Sequence, residues 1–302
     1  MGAKSTLGAL QVFVGGASYG VMATTYKLAF AHGFSWQLVV ATQGLFAVIA
    51  FLLALAVRLA RRHPVERLSA KRVLRLVGLG ALTACTGIFY SFSMTMLPVS
   101  VALTLLFQFT WIGLVIQVIV TRRAPTFPEV LAALVIFAGT FLASGAYHED
   151  LLADYSPLGI ACALVAAVCC ASFVTLSGRV ECELAPEQRG LAVCCGTFLV
   201  GLVICPTFPV QAPQADFYPL FGIVMGVFGV FFPVLLFGMG GRYISPGMST
   251  IMASAELPIG LLVSMLVLGE PVTGVQWVGV AAILSGVVIS QLGSMRAAAR
   301  EA

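Results

Sequence analysis

Residues 244–268 read ISPGMSTIMASAELPIGLLVSMLVL, an apolar run whose single charge, Glu256, sits near its middle. Coiled as a helix, the run is about 37 Å long, more than the roughly 30 Å of a bilayer's hydrocarbon core. It therefore reads as a membrane span with a carboxyl at depth. A charge at that depth costs roughly 2.5 kcal/mol or more, so such acids face a protein interior or a wet cavity. Pro258, two residues on, removes a backbone donor and loosens the helix at the same level. Glu256 thus reads first as part of a solute pathway. The blander alternative is a protonated Glu hydrogen-bonded to a neighbouring helix.

The rest of the chain has the same character. Of 302 residues, 60% are hydrophobic and 9% are charged, against about 25% charged in a soluble domain. The mean hydropathy of +1.04 places the chain in the all-α class, as a polytopic membrane protein whose solvent is the lipid bilayer. Ten runs are long enough to span: 7–30, 35–57, 73–96, 98–121, 127–146, 157–178, 187–209, 217–240, 244–268 and 272–292. The first exceeds a signal peptide's apolar region of roughly 7–15 residues and reads as a true span. With both termini in the cytoplasm, fifteen of the sixteen lysines and arginines fall on that side and only Lys27 on the other, as the positive-inside rule asks. The basic stretch Arg58 to Arg75 reads as topology control, not as a nucleic-acid site. The connection around His148, Glu149, Asp150 and Asp154 is acidic and lies on the outer side.

The eight cysteines form no CxxC, and the three histidines, His32, His63 and His148, lie at or between span ends. The cysteines read as small packing residues. No metal site and no cofactor is expected. No GxxxxGK[ST] occurs, so primary transport by this chain is not expected.

The two halves resemble each other at an offset of 147: Gly113 falls on Gly260, Thr126 on Thr273, Ile136 on Ile283 and Gly139 on Gly286, with Phe109 on Glu256 and Trp111 on Pro258. A looser match sets Gly8 against Gly159. Residues 1–150 and 151–302 then hold five helices each. Five is odd, so the second copy enters from the opposite side, giving an inverted repeat of the kind that builds secondary transporters.

Ser254-Ala255-Glu256-Leu257-Pro258, Leu268-Gly269-Glu270-Pro271, Gln276-Trp277-Val278-Gly279 and Ser285-Gly286 follow one another in the second half. This order resembles the C-terminal part of an EamA repeat in the drug/metabolite transporter superfamily. The first half departs from the pattern, with Arg122-Arg123 at the Gly-Glu corner. The resemblance implies a ten-helix carrier, usually an exporter of amino acids or related metabolites in a bacterial inner membrane. Gln108-Phe109-Thr110-Trp111 is similar to a short motif of aromatic amino-acid exporters in that superfamily.

Spacing by three, four and seven gathers candidate pathway residues on single helix faces: Gln108 and Trp111 with Thr104; Tyr90 and Thr86 with Thr83; Tyr19 with Met22 and Tyr26; Ser249, Met252 and Glu256; and Gln43 alone. Such a lining suits a small amphipathic solute, and its aromatic faces accept an ammonium group. The competing reading is that each Ser, Thr or Gln stitches helices together, for about 0.6 kcal/mol. Pro233 and Pro258 are candidate hinges. Glu129 and Glu270 lie at span ends and read as structural. The paired glycines Gly16/Gly20 and Gly222/Gly226 read as close-packing positions. The glycines of the fifth and tenth spans would allow a homodimer or packing within the chain. A non-transporting scaffold or sensor is the alternative class, and an intramembrane enzyme a third, weakened by the lone deep carboxyl.

Overall fold

The computed structural model describes residues 2–148, 155–206 and 218–300, with side chains placed over 4–148, 155–206 and 220–293. Among the described residues every regular element is helical. Ten apolar helices follow the expected runs: α1 (Lys4–Ala31), α2 (Trp36–Ala60), α3 (Ala70–Ser93), α4 (Val99–Thr121), α5 (Phe127–Ala143), α6 (Pro157–Ser177), α7 (Pro186–Ile204), α8 (Leu220–Tyr243), α9 (Pro246–Leu268) and α10 (Gly274–Gly293). Nine reach at least 18 residues and α5 is the short one. The expected acidic connection at 149–154 lies outside the described residues.

Local chemistry sets the boundaries. Ser35, Ser69, Ser156 and Ser245 each accept a hydrogen bond from a backbone N–H of the helix they open, and Pro157, Pro186 and Pro246 occupy first-turn positions where no donor is needed. The Ser69 cap starts α3 three residues before the hydropathy run suggests, because a cap can lift a helix out through the headgroup region. Thr126 and Glu129 form a capping box on α5. Thr273 and Gln276 repeat it on α10, where Gln276 Oε1 accepts from Thr273 N at 2.9 Å and Gln276 N donates to Thr273 Oγ1 at 3.3 Å.

Two of the ten are broken in mid-span. α4 divides into Val99–Leu106 and Phe109–Thr121, and α9 into Pro246–Ala253 and Glu256–Leu268. The offset of 147 carries every one of these boundaries onto its counterpart. It also carries Arg122 onto Gly269, the two left-handed residues (φ 55° and 68°) that end the helices. The repeat is therefore written into the backbone.

The two breaks have different causes. In α9, Pro258 has no N–H to give Ser254, whose carbonyl takes Leu257 N at 3.4 Å instead; the turn tightens and the helix restarts. α4 has no proline. There Gln108 turns its side chain back, Nε2 donating to Thr104 O at 2.9 Å, while Trp111 Nε1 donates to Gln108 Oε1 at 2.7 Å. A side-chain amide does for α4 what a missing donor does for α9. In α8, π-helical turns at Tyr218–Gly222 and Val227–Phe231 precede the regular turn Phe232–Gly240 that holds Pro233. Widened turns of this kind concentrate at functional sites.

Glycines set the closest approaches. Gly16 and Gly20 lie against the backbone of the α9 break, Gly222 and Gly226 against Phe46 of α2, and Gly139, Gly279 and Gly286 join α5 to α10. These three glycines of α5 and α10 are thus used within the chain.

Candidate functional site

Helices whose ends carry most of the basic residues define one end of the bundle, the basic end. Lys27, Glu270 and the α9–α10 corner mark the other. A cavity opens at that second end, and a second one adjoins it at mid-bundle; the two share Ala23 and Glu256 in their walls. The outer vestibule, about 190 Å³, lies between α1, the first half of α4 and the second half of α9; Thr24, Lys27, Ser100, Ser144, Ser264, Glu270 and Gln276 give it polar walls. The inner chamber, about 60 Å³, is lined by Tyr19, Met22, Tyr26, Gln43, Thr83, Thr86, Tyr90, Cys170 and Phe173. For scale, a water occupies about 30 Å³.

Glu256 stands where the two adjoin. It is the first residue of the second half of α9, so its position follows from the break itself. Among the described residues its carboxyl has neither a hydrogen-bond nor an ion-pair partner. A carboxylate there also faces the N-terminal end of a half-helix, which favours negative charge. Around it the chamber keeps unfilled bonding capacity. Tyr26 OH donates to Gln43 Oε1 at 3.0 Å, but among the described residues Tyr90 OH and Thr83 Oγ1, and Thr24 Oγ1 of the vestibule, are buried without a partner. Leaving such a group unsatisfied costs about 1–3 kcal/mol, so these atoms suit a solute or water that enters the cavity.

Of the residues singled out by sequence, Glu256, Gln43, Tyr90, Tyr19 and Thr86 meet around the inner chamber. Three do not. Trp111 is 47% exposed on the outer surface of the bundle, and Gln108 braces the α4 break beside it. Ser249 is fully buried and donates to Ser245 O at 3.1 Å within α9. Pro258 lies at the α9 break, beside the chamber. Pro233 is buried in α8, one turn past Gly229, which touches Met22 of the chamber wall. Phe173 and Cys170 lack any sequence signal for their place in the lining: each is one more apolar residue on an apolar helix.

At the basic end the corresponding space is shut. The second half of α4 packs on the first half of α9, with the Thr250 side chain in the space a Cβ on Gly113 would need and Thr250 Oγ1 donating to Thr110 O at 3.1 Å. Below it, Gln117 Oε1 accepts from Gly247 N at 2.8 Å, Gln117 Nε2 donates to Glu129 Oε2 at 3.3 Å, and Ser245 donates to Glu129 Oε1. Glu129, read from sequence as a structural helix-end acid, is buried here in a seal joining α4, α5 and α9. The repeat's counterparts of Gln117 and Glu129 are Ser264 and Gln276, and these line the open vestibule. One end is closed and the other open, although both are built from the same pattern.

At the open end Lys27 Nζ pairs with Glu270 at 3.0 Å. The hydroxyl of Ser264 holds the Glu270 carboxyl below its usual range, Lys27 adds to this, and burial opposes it. A carboxylate so lowered contributes stability above its ordinary value, about 4.3, and loses it as pH falls through the lowered value. Both partners are more than one-third exposed. Lys27→Met is therefore expected to destabilise the protein by less than about 1 kcal/mol. A double-mutant cycle with Glu270→Gln, read by thermal melting at pH 7 and again near pH 3, should show a small coupling that vanishes in acid. A coupling that grows in acid would contradict the assignment.

The family model described as the EamA-like transporter family matches residues 6–145 and 157–292. No curated protein sequence matches the chain. Among 29 solved chains that match, one crystal structure aligns with a TM-score of 0.76 at 16% identity, covering 94% of this chain and 97% of its own. That likeness shows the fold alone.

Proposed function

The chain belongs to the EamA-like transporter family, and from that premise we propose that it is a secondary carrier exporting small organic metabolites, amino acids or related amphipathic solutes, by alternating access. We place it in a bacterial inner membrane with both termini in the cytoplasm, on the strength of the family and of the charge asymmetry.

One observation carries the reading: a cavity open at one end, closed at the other by the repeat-related contacts of the same two broken helices, with an unpartnered carboxyl where vestibule and chamber adjoin. Such a pair of helices has two arrangements of similar chemistry available, which is what alternating access requires. The lining supports the solute class. One carboxyl, three tyrosines and orphan hydroxyls suit a small body with an amine and an apolar side. A scaffold has no need of a polar cavity closed at one end, and membership of a transporter family weighs against an enzyme.

The test is counterflow. Proteoliposomes preloaded with unlabelled solute are offered a panel of labelled amino acids and related amines. Saturable, trans-stimulated uptake of at least one of them is expected. Flux that neither saturates nor responds to internal solute would indicate a channel, and no flux for any of the panel would remove the proposed class.

A further inference from the structure

At the basic end, the corner between α6 and α7 collects three arginines, none of which makes an ion pair among the described residues. Arg189, on the first turn of α7, is only 3% exposed. Its Nε donates to Val180 O at 3.0 Å and its Nη2 to Ser177 O, while Nη1 makes no hydrogen bond among the described residues. Nη1 points at Gly238 of α8; a Cβ there would collide with it. Arg242, exposed at the end of α8, donates from Nη1 to Cys182 O at 3.2 Å. Arg179 donates to Thr175 O at 2.9 Å and to Ile244 O at 3.3 Å. All three guanidinium groups bear on Cys182, whose thiol is pushed up by burial and pulled back by each of them.

The nearby carboxylates are committed elsewhere. Glu181 pairs with Arg72 at 2.6 Å and Arg75 at 3.1 Å, Glu66 with Arg72 at 3.3 Å, and Glu187 with Arg58 at 3.4 Å. Glu183 is exposed and makes no ion pair among the described residues. Backbone carbonyls of the α6 terminus satisfy part of the arginines' donor capacity and none of their net charge. A buried cation without an opposite charge is costly. Arg189 and Arg242 also share a narrow cleft with Cys182 and Gly238, and its apolar walls are Leu184, Pro186, Leu235 and Met239. The cleft holds about 10 Å³, too little to admit a phosphate, so exposed Arg242 is its accessible member and buried Arg189 lies beneath.

We propose that this corner binds a phosphate group, presented by the headgroup of an anionic phospholipid. The cations meet an apolar wall at the ends of three apolar helices, where basic residues attract anionic lipid headgroups, and a guanidinium fork matches a phosphate's oxygens. The site lies at the opposite end from the open cavity and is independent of what the carrier moves.

The experiment uses the purified full chain in detergent. Its thermal stability is followed while phosphatidylglycerol, phosphatidylcholine or inorganic phosphate is added, for the wild type, Arg242→Gln, and Arg61→Gln as an exposed control with the same change of charge. Phosphatidylglycerol is expected to protect the wild type and Arg61→Gln more than phosphatidylcholine does, and to need about tenfold more lipid in Arg242→Gln, the loss of roughly one charged hydrogen bond. Arg242→Lys, which keeps the charge without the fork, should fall between. Protection by inorganic phosphate alone, also weakened in Arg242→Gln, would uphold the phosphate site and replace the lipid by a free anion. Equal protection of both glutamine variants, or no preference over phosphatidylcholine, overturns the proposal.

Discussion

Glu256→Gln is expected to lower transport by roughly 10- to 100-fold at an unchanged level of folded protein. The substitution keeps shape and removes charge, so it isolates the electrostatic contribution. Hydrogen bonds to charged groups contribute about 1.5–3 kcal/mol, and each 1.4 kcal/mol is a factor of about ten. Because Glu256 makes no hydrogen bond or ion pair among the described residues, the amide of the same shape breaks no contact and little stability should change. The two readouts together separate the readings. A large fall in counterflow with an unchanged melting temperature assigns the carboxyl to the solute pathway. Wild-type counterflow with a changed melting temperature would return Glu256 to the structural role that the sequence also allowed. Solutes lacking an amine should be least affected, because they have no positive charge to set against the carboxylate.

The second large effect concerns the contact that holds the α9 break in place. A Cβ on Gly16 would lie 2.6 Å from Ala253 Cα and 2.9 Å from its carbonyl carbon. These are backbone atoms, and no rotamer change moves them aside. Gly16→Val should therefore force α1 away from α9, at a cost of about 1–3 kcal/mol or more, seen as a lower melting temperature and a poorer yield of monodisperse protein. Gly78→Val is the matched control, since a Cβ there meets nothing within 4 Å, and it should be close to neutral. Equal losses from the two would mean that α1 does not sit on the break. Gly20, one turn on, lies against Glu256 O and Gly260 N, so the displacement should also disturb the chamber and reduce transport in whatever protein still folds.

Both effects start from the pairing of two broken helices, and sequence revealed that pairing unevenly. Pro258 marks its break directly. The α4 break carries no proline and no glycine; it depends on Gln108 folding back onto Thr104, a contact that becomes visible only once the chain is in place. Gln108 and Trp111 share a polar stripe with Thr104, and from sequence that stripe reads as a pathway face. The structure spends Gln108 on the backbone and turns Trp111 outward. Lys27 likewise reads only as the one basic residue on the outer side, yet it stands on the vestibule wall, held there by an acid 243 residues further along the chain.

Sequence by itself determined the ten spans, the crowding of positive charge at one end, and the inverted repeat with its offset of 147. These are local or additive properties: a span needs only enough apolar residues, and a repeat needs only self-similarity. Tertiary structure alone decided which faces meet the cavity, which meet lipid, and which end of the bundle is closed. Lipid tails are as apolar as a protein interior, so hydropathy cannot tell a buried helix face from a lipid-facing one. Closure depends on Thr250 filling the space beside Gly113 while Gly260, its repeat counterpart, lies beside Gly20 and lines the open vestibule, and two copies of one pattern cannot announce which of them is shut.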